Sequence, residues 1–332
     1  MKAPLIVALV VALAPAQALA WGAMGHRIVG EAAMRALPGE VPAFLRTPAA
    51  VRDVGELSRE QDRSKGAGRI HDHNRDAGHF LDLDEDGKLL GGPSFLPLPA
   101  TRADYEKGLQ AAGLDSWKAG YLPYSIIDQH QQLTKDFAYW QAVKVAASRE
   151  KNRERRAWLN RDLVRREAQI LQTIGNLSHF VGDGAQPLHV TVHYNGWGEY
   201  PNPQGYTTAR VHGPFESEFV FNNIKLAAVS AKVAPLRSCD CPIEKRTVDY
   251  LSDTATQVIP FYELEKTGGI RSGDGRGITF ATDRLAVGAS ELRDMVVSAW
   301  RASGNATVGW PVLRVQDVLA GKDPYDSLYG KD

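Results

Sequence analysis

The residue types able to do chemistry are densest in His179-Phe-Val-Gly-Asp183-Gly-Ala-Gln-Pro-Leu-His189. His179 and Asp183 are four apart, so on a helix they project from one face, a turn apart, and can ligate a single ion. Pro187 should end or bend that helix and let His189 swing toward a different ion nearby. Downstream, His212-Gly-Pro-Phe-Glu216 repeats the pairing of imidazole and carboxylate at the same spacing. Either pair alone fits an ordinary helix with a satisfied buried histidine. Two such pairs with His189 between them point to a metal site.

Three more donors lie upstream: His26, Asp62 in Gln-Asp-Arg-Ser-Lys, and His79 in Gly-His-Phe-Leu-Asp-Leu-Asp. Imidazole and carboxylate without thiolate suit zinc and would also accept manganese or iron. The acidic run from Asp82 to Asp86 lacks the spacing of an EF-hand loop and reads as a solvated turn. Cys239 and Cys241, in Ser-Cys-Asp-Cys-Pro, are far from the histidines and too few for a structural zinc site. They would close a small ring in an oxidising compartment or stay as thiols.

Helices must position these donors. Ile126, His130, Leu133, Phe137 and Trp140 step by four and three, and Leu159, Leu163, Ile170, Ile174, Leu177 and Val181 hold one face of another helix. Leu285, Leu292, Val296, Ala299 and Trp300 repeat the pattern near the end. Alternating strand patterns are few, and Gly91 to Pro99 and Asn195 to Tyr206 read as loops. No linker, repeat or charge block marks a boundary, so the expectation is an all-α, single mainly helical domain.

The first residues have the form of a secretory leader: Lys2, the apolar stretch Leu5 to Ala14, then Ala18-Leu19-Ala20 before Trp21. That apolar core is shorter than the roughly 18–20 residues a bilayer requires. The expected protein is therefore periplasmic or secreted, with residues 1–20 cleaved and Trp21 as its new terminus. The whole chain balances 39 basic against 39 acidic residues, and losing Lys2 with the leader leaves 38 against 39. Extended gripping of duplex nucleic acid would favour a strongly basic total, so a nucleic-acid substrate must be held locally, with metal cations supplying positive charge.

Trp21-Gly-Ala-Met-Gly-His26, Gly-His79-Phe-Leu-Asp, the Gly-Asp-x-x-Gln-Pro-Leu-His core around Asp183, and His212-x-x-x-Glu216 occur here in a telling order. The chain resembles the superfamily that joins the S-one/P-one zinc nucleases to the bacterial zinc phospholipases C. The likeness runs from Trp21 to about Ser303 and leaves residues 304–332 unassigned. It implies a helical domain of that type and three zinc ions: one on Asp62, His79, His179 and Asp183, and a second on His189, His212 and Glu216. The third would take His26, Asp183 as a bridge, and the amino group and carbonyl oxygen of Trp21. Asp53, Asp72 and Asp76 are also in reach for the first position, and Asp62 is preferred for its spacing to His79. Asp62 and Asp183 are the implied catalytic residues.

Within the superfamily the motifs divide. The short gap from Trp21 to His26 looks like the nucleases, whereas Glu216 and the loop Tyr200-Pro-Asn-Pro-Gln-Gly-Tyr206 resemble the phospholipases. The expected activity is a single-strand nuclease or nucleotidase acting on nucleic acid or nucleotides as a monomer, with phospholipid head groups as the alternative substrate. A non-catalytic zinc-binding protein is the third reading. In the leading case two cations bridged by Asp183 lower the pKa of a shared water, and no Ser or Cys nucleophile is needed. Asp82 and His193 are candidates for orienting the ligands. Phe80, Tyr194, Trp197, Tyr200 and Tyr206 would either line the site or anchor its loops.

Overall fold

Three long helices dominate the computed structural model, which describes residues 21–330 apart from 66, 68 and 240. The expected leader, residues 1–20, lies outside the described residues. We number the principal helices α1 (Gly22–Arg35), α2 (Pro48–Leu57), α3 (Leu122–Arg149), α4 (Arg153–Ala185), α5 (Ile243–Ala255) and α6 (Gly275–Ser303). α3 carries Pro123 in its first turn, where a missing N–H costs nothing. The Asn152 side chain caps α4 by accepting from Glu154 and Arg155 N–H at 2.9 and 3.1 Å.

The expected apolar rows face inward. Ile126, Leu133, Phe137 and Trp140 on α3 are buried, as are Leu159, Ile170, Ile174, Leu177 and Val181 on α4 and Leu285, Leu292, Val296 and Ala299 on α6. Each such side chain removed from water contributes roughly 1.5–3 kcal/mol, and so these rows, rather than the loops, fix where the donors lie. Arg246 of α5 is buried against Glu291 and Asp294 of α6, a paired charge inside the helical stack. The all-α expectation holds: among the described residues the only named strands are a two-stranded antiparallel hairpin, β1 (Thr307–Val308) and β2 (Leu313–Arg314).

That hairpin belongs to the last residues, which the family likeness leaves unassigned. With α7 (Val315–Ala320) and α8 (Tyr325–Tyr329) it folds back on the long helices. Val308, Leu313, Val315 and Val318 pack with Ala138 and Ala142 of α3. Tyr325 and Leu328 pack on a cluster formed by Val143, Ala146, Ala147 and Leu159. Among the described residues no helix is long and apolar enough to cross a membrane. Cys239 and Cys241 are joined to each other by a disulfide, the first of the two states their spacing allowed.

Candidate metal centre

α4 ends two residues after Asp183, at Ala185, and Pro187 opens a short 3₁₀ turn over Pro187–His189 that carries His189 off the helix axis. Gln186 shapes this exit. Its side-chain oxygen accepts Leu188 N–H at 3.1 Å and its amide donates to Glu216 Oε1 at 2.8 Å. Glu216 lies on a π-helical turn, Pro214–Phe219, a wider winding often found at functional positions. α1 brings His26 against the last turns of α4. A Cβ on Gly182 would lie 3.1 Å from His26 Nδ1, tighter than an ordinary contact, so glycine lets the two helices approach closely here.

The donors converge into three buried groups: His26, His179 and Asp183; Asp62, His79 and His179; and His189, His212 and Glu216. Asp183 spans the first two groups. Its Oδ1 faces His26 Nε2 at 3.6 Å, while its Oδ2 lies 3.0 Å from His79 Nδ1 and 3.3 Å from His179 Nε2. Asp62 reaches His179 Nε2 at 3.8 Å and His26 Nε2 at 3.9 Å. In the third group Glu216 Oε1 is 3.1 Å from His189 Nε2 and 2.8 Å from His212 Nε2. Of the alternatives to Asp62, Asp72 and Asp76 line the neighbouring cleft and Asp53 is exposed on α2.

The histidines are held for ligation. His179, His189 and His212 point Nδ1 at the backbone carbonyls of Ser58, His79 and Tyr194, at 2.8, 2.6 and 2.8 Å. A donated Nδ1 proton leaves the Nε2 lone pair aimed at the centre. His189 and His212 then bring their Nε2 atoms within 3.1 Å of each other. Two lone pairs at that distance repel unless a cation or a proton stands between them. His26 has no hydrogen-bond partner on either buried ring nitrogen, and Asp183 Oδ1 and Glu216 Oε2 likewise have none. Buried polar atoms without partners are costly, and bound cations would satisfy these.

The electrostatics fit the same reading. Burial, helped by His179, lowers His26 to about 3, and burial with Lys65 lowers His79 to about 4, so both imidazoles are neutral donors at neutral pH. Against burial, His179 and Lys65 hold Asp62 down at about 2, and His212 and His189 hold Glu216 at about 2. Asp183 is held well below the usual carboxylate range against burial, chiefly by His179 and His189. These carboxylates are therefore buried anions. His189 goes the other way: although burial lowers it, Asp183 and Glu216 raise it to about 9, so without a metal it carries a proton.

Trp21 is fully buried beside this centre and sits in the left-handed region at φ 33°, a conformation non-glycine residues rarely adopt. Its indole Nε1 donates to Gly182 O at 2.6 Å and its ring packs on Phe215 at 5.7 Å. Its carbonyl accepts the N–H of Gly25 at 3.1 Å and keeps a second lone pair.

The second and third groups border a cavity of about 490 Å³, lined by His79, His189 and His212. Phe80 and Tyr194 contribute to its wall, as two of the five candidate aromatics. The other three are loop anchors. Trp197 and Tyr206 are buried against Tyr262, and Tyr200 stands edge-on to His193. His193 is corrected as an orienting residue: its ring nitrogens are taken by Trp197 O at 2.8 Å and Glu85 Oε1 at 2.7 Å, not by a ligand. Asp82 lines the cleft, and burial, opposed by His189, pushes it up to about 8. Sequence reasoning missed Lys65, whose ammonium pairs with Asp62 Oδ1 at 2.7 Å, and Trp117 and Lys118 on the cleft wall. Lys65 follows Asp62 by three residues, and that local spacing was the one usable clue.

No family model, curated protein or solved structure matches this chain.

Proposed function

We propose that the chain is an exported zinc-dependent phosphoester hydrolase of the S-one/P-one nuclease type, acting on single-stranded nucleic acid or nucleotides. The observation that carries this reading is Asp183, whose two oxygens address two imidazole groups, His26 on one side and His79 and His179 on the other, with His79 lining the cleft. Ions held there would lower the pKa of water and stabilise charge growing on phosphate oxygens. The chain's own residues supply the rest. Asp62, Asp183 and Glu216 give anionic donors, and the three backbone carbonyls fix the imidazole orientations. Lys65 and Lys118 offer positive charge to a phosphate, and Phe80, Trp117 and Tyr194 offer ring faces to a splayed base. Asp82, neutral at pH 7, can donate a hydrogen bond into the cleft.

Glu216 favours the second reading, a zinc phospholipase C, because the likeness to that branch lies in that residue. An open cleft beside the donors speaks against a storage protein, which needs no room for a substrate. The test is purified protein against single-stranded DNA, RNA and a phosphatidylcholine emulsion, each with and without a chelator. The expected result is hydrolysis of the two nucleic acids, abolished by the chelator and restored by zinc. Hydrolysis of the lipid alone would select the phospholipase, and bound zinc without any hydrolysis would select the storage protein.

A further inference from the structure

The pole of the molecule farthest along α4 from the metal donors combines two features that neither the fold nor the cleft uses. The first is charge. Residues 144–167 hold nine Lys or Arg against four Asp or Glu, in a chain whose totals balance. Lys151, Arg153, Arg156 and Arg161 are exposed and enter none of the ion pairs among the described residues. The second is apolar exposure. Trp310 at the hairpin turn is 78% exposed, Val312 56% and Tyr329 57%.

Hydrogen bonds and ring contacts tie the two features together. Arg149 donates to the carbonyls of Val318 and Leu319 at 2.8 Å each, and the Arg155 guanidinium lies over the Tyr325 ring at 4.4 Å. Trp158 meets Tyr329 at 5.3 Å between ring centroids. Trp310 N–H donates to Ser327 O at 2.9 Å, fixing the hairpin turn beside α8.

We infer that this pole is a docking surface for an anionic phospholipid membrane. Arginine and lysine attract anionic head groups, and a tryptophan with neighbouring aliphatic side chains partitions into the boundary beneath them. A nucleic-acid strand would use the cations and the Trp310 ring, but it offers nothing to Val312. From Arg156 to Asp183 is 27 residues of continuous helix, about 40 Å at 1.5 Å per residue. A membrane held at this pole leaves the metal cleft facing solution, which suits a soluble substrate better than the lipid underneath.

The experiment is sedimentation of the full exported protein with vesicles, either of phosphatidylglycerol and phosphatidylethanolamine or of phosphatidylcholine alone. Binding should be at least about tenfold stronger to the anionic vesicles and should weaken with salt. Trp310→Ser with Val312→Ser, and separately Lys151→Gln with Arg153→Gln and Arg156→Gln, should each cut partitioning roughly tenfold. Melting temperature and bound metal should stay unchanged, which separates this surface from the cleft reading. Equal binding to the two vesicle types, no binding, or unaltered binding by the variants overturns the inference. Loss in the variants of affinity for a single-stranded oligonucleotide, or of a dimer, without an effect on vesicles would assign the surface to nucleic acid or to a second copy.

Discussion

Asp183 is buried on the last turn of α4, and each of its oxygens meets a different set of imidazoles. Asp183→Asn keeps the shape but removes the charge shared by two positions. We expect it to lose more than one zinc per chain and at least about a hundredfold in turnover. His193→Ala should leave bound metal unchanged, because its ring contacts Trp197 and Glu85 instead. Metal analysis and turnover of both variants check this, and equal metal loss in the two would mean that the bridge is misplaced. His189 makes a second prediction. Without metal its pKa is raised from 6.5 to about 9, so its stabilising contribution is full below 6.5 and is lost as pH rises through 9. A cation bound there must displace that proton, and so its affinity at this position should climb by up to about tenfold per pH unit below 9. Calorimetry at pH 7 in two buffers of different ionisation enthalpy should show proton release. Identical heats in the two buffers would refute it.

At the scale of elements, α1 and α4 supply the whole of the first group, His26 from α1 and His179 with Asp183 from α4. Trp21 stands immediately before α1, and the resemblance implies that its amine is a ligand, which requires a free terminus with a neutral amine. A chain left with one residue before Trp21 should bind one zinc fewer and lose most activity. It should keep its helical content, since the other two positions draw nothing from the terminus. Mass spectrometry of the first residue with metal analysis decides it, and unchanged metal in the extended chain would make Trp21 a packing residue only. The other end of the scaffold is tested through the α4 cap. Asn152→Ala frees two N–H groups and should cost about 1 kcal/mol of stability while leaving the metal donors, some 27 residues away along the helix, undisturbed.

On the scale of the whole molecule, the C-terminal segment is part of the fold. Val308, Leu313, Val315 and Val318 cover Ala138 and Ala142 of α3, which would otherwise face water. Ending the chain after Gly304 removes those four buried side chains and should lower unfolding free energy by at least about 3 kcal/mol. A denaturant titration with an unchanged midpoint would show that the segment merely rests on α3.

The sequence by itself determined the helical class, the inward rows of α3, α4 and α6, and the pairing of His179 with Asp183 and of His212 with Glu216. These follow from the helix pitch, which is local and the same wherever the helix lies. It also marked Pro187 as the point where the chain leaves the axis. What the tertiary structure decided are the meetings of residues far apart in the chain. His79 reaches Asp183 across 104 positions, and Asp62 rather than Asp53, Asp72 or Asp76 joins them. Of the five aromatics, only Phe80 and Tyr194 turned to the cleft, because Trp197 and Tyr206 were taken up by packing on Tyr262. The carbonyls of Ser58, His79 and Tyr194 that orient the imidazoles left no mark in the sequence, since every residue carries a carbonyl and only packing selects which one faces a ring.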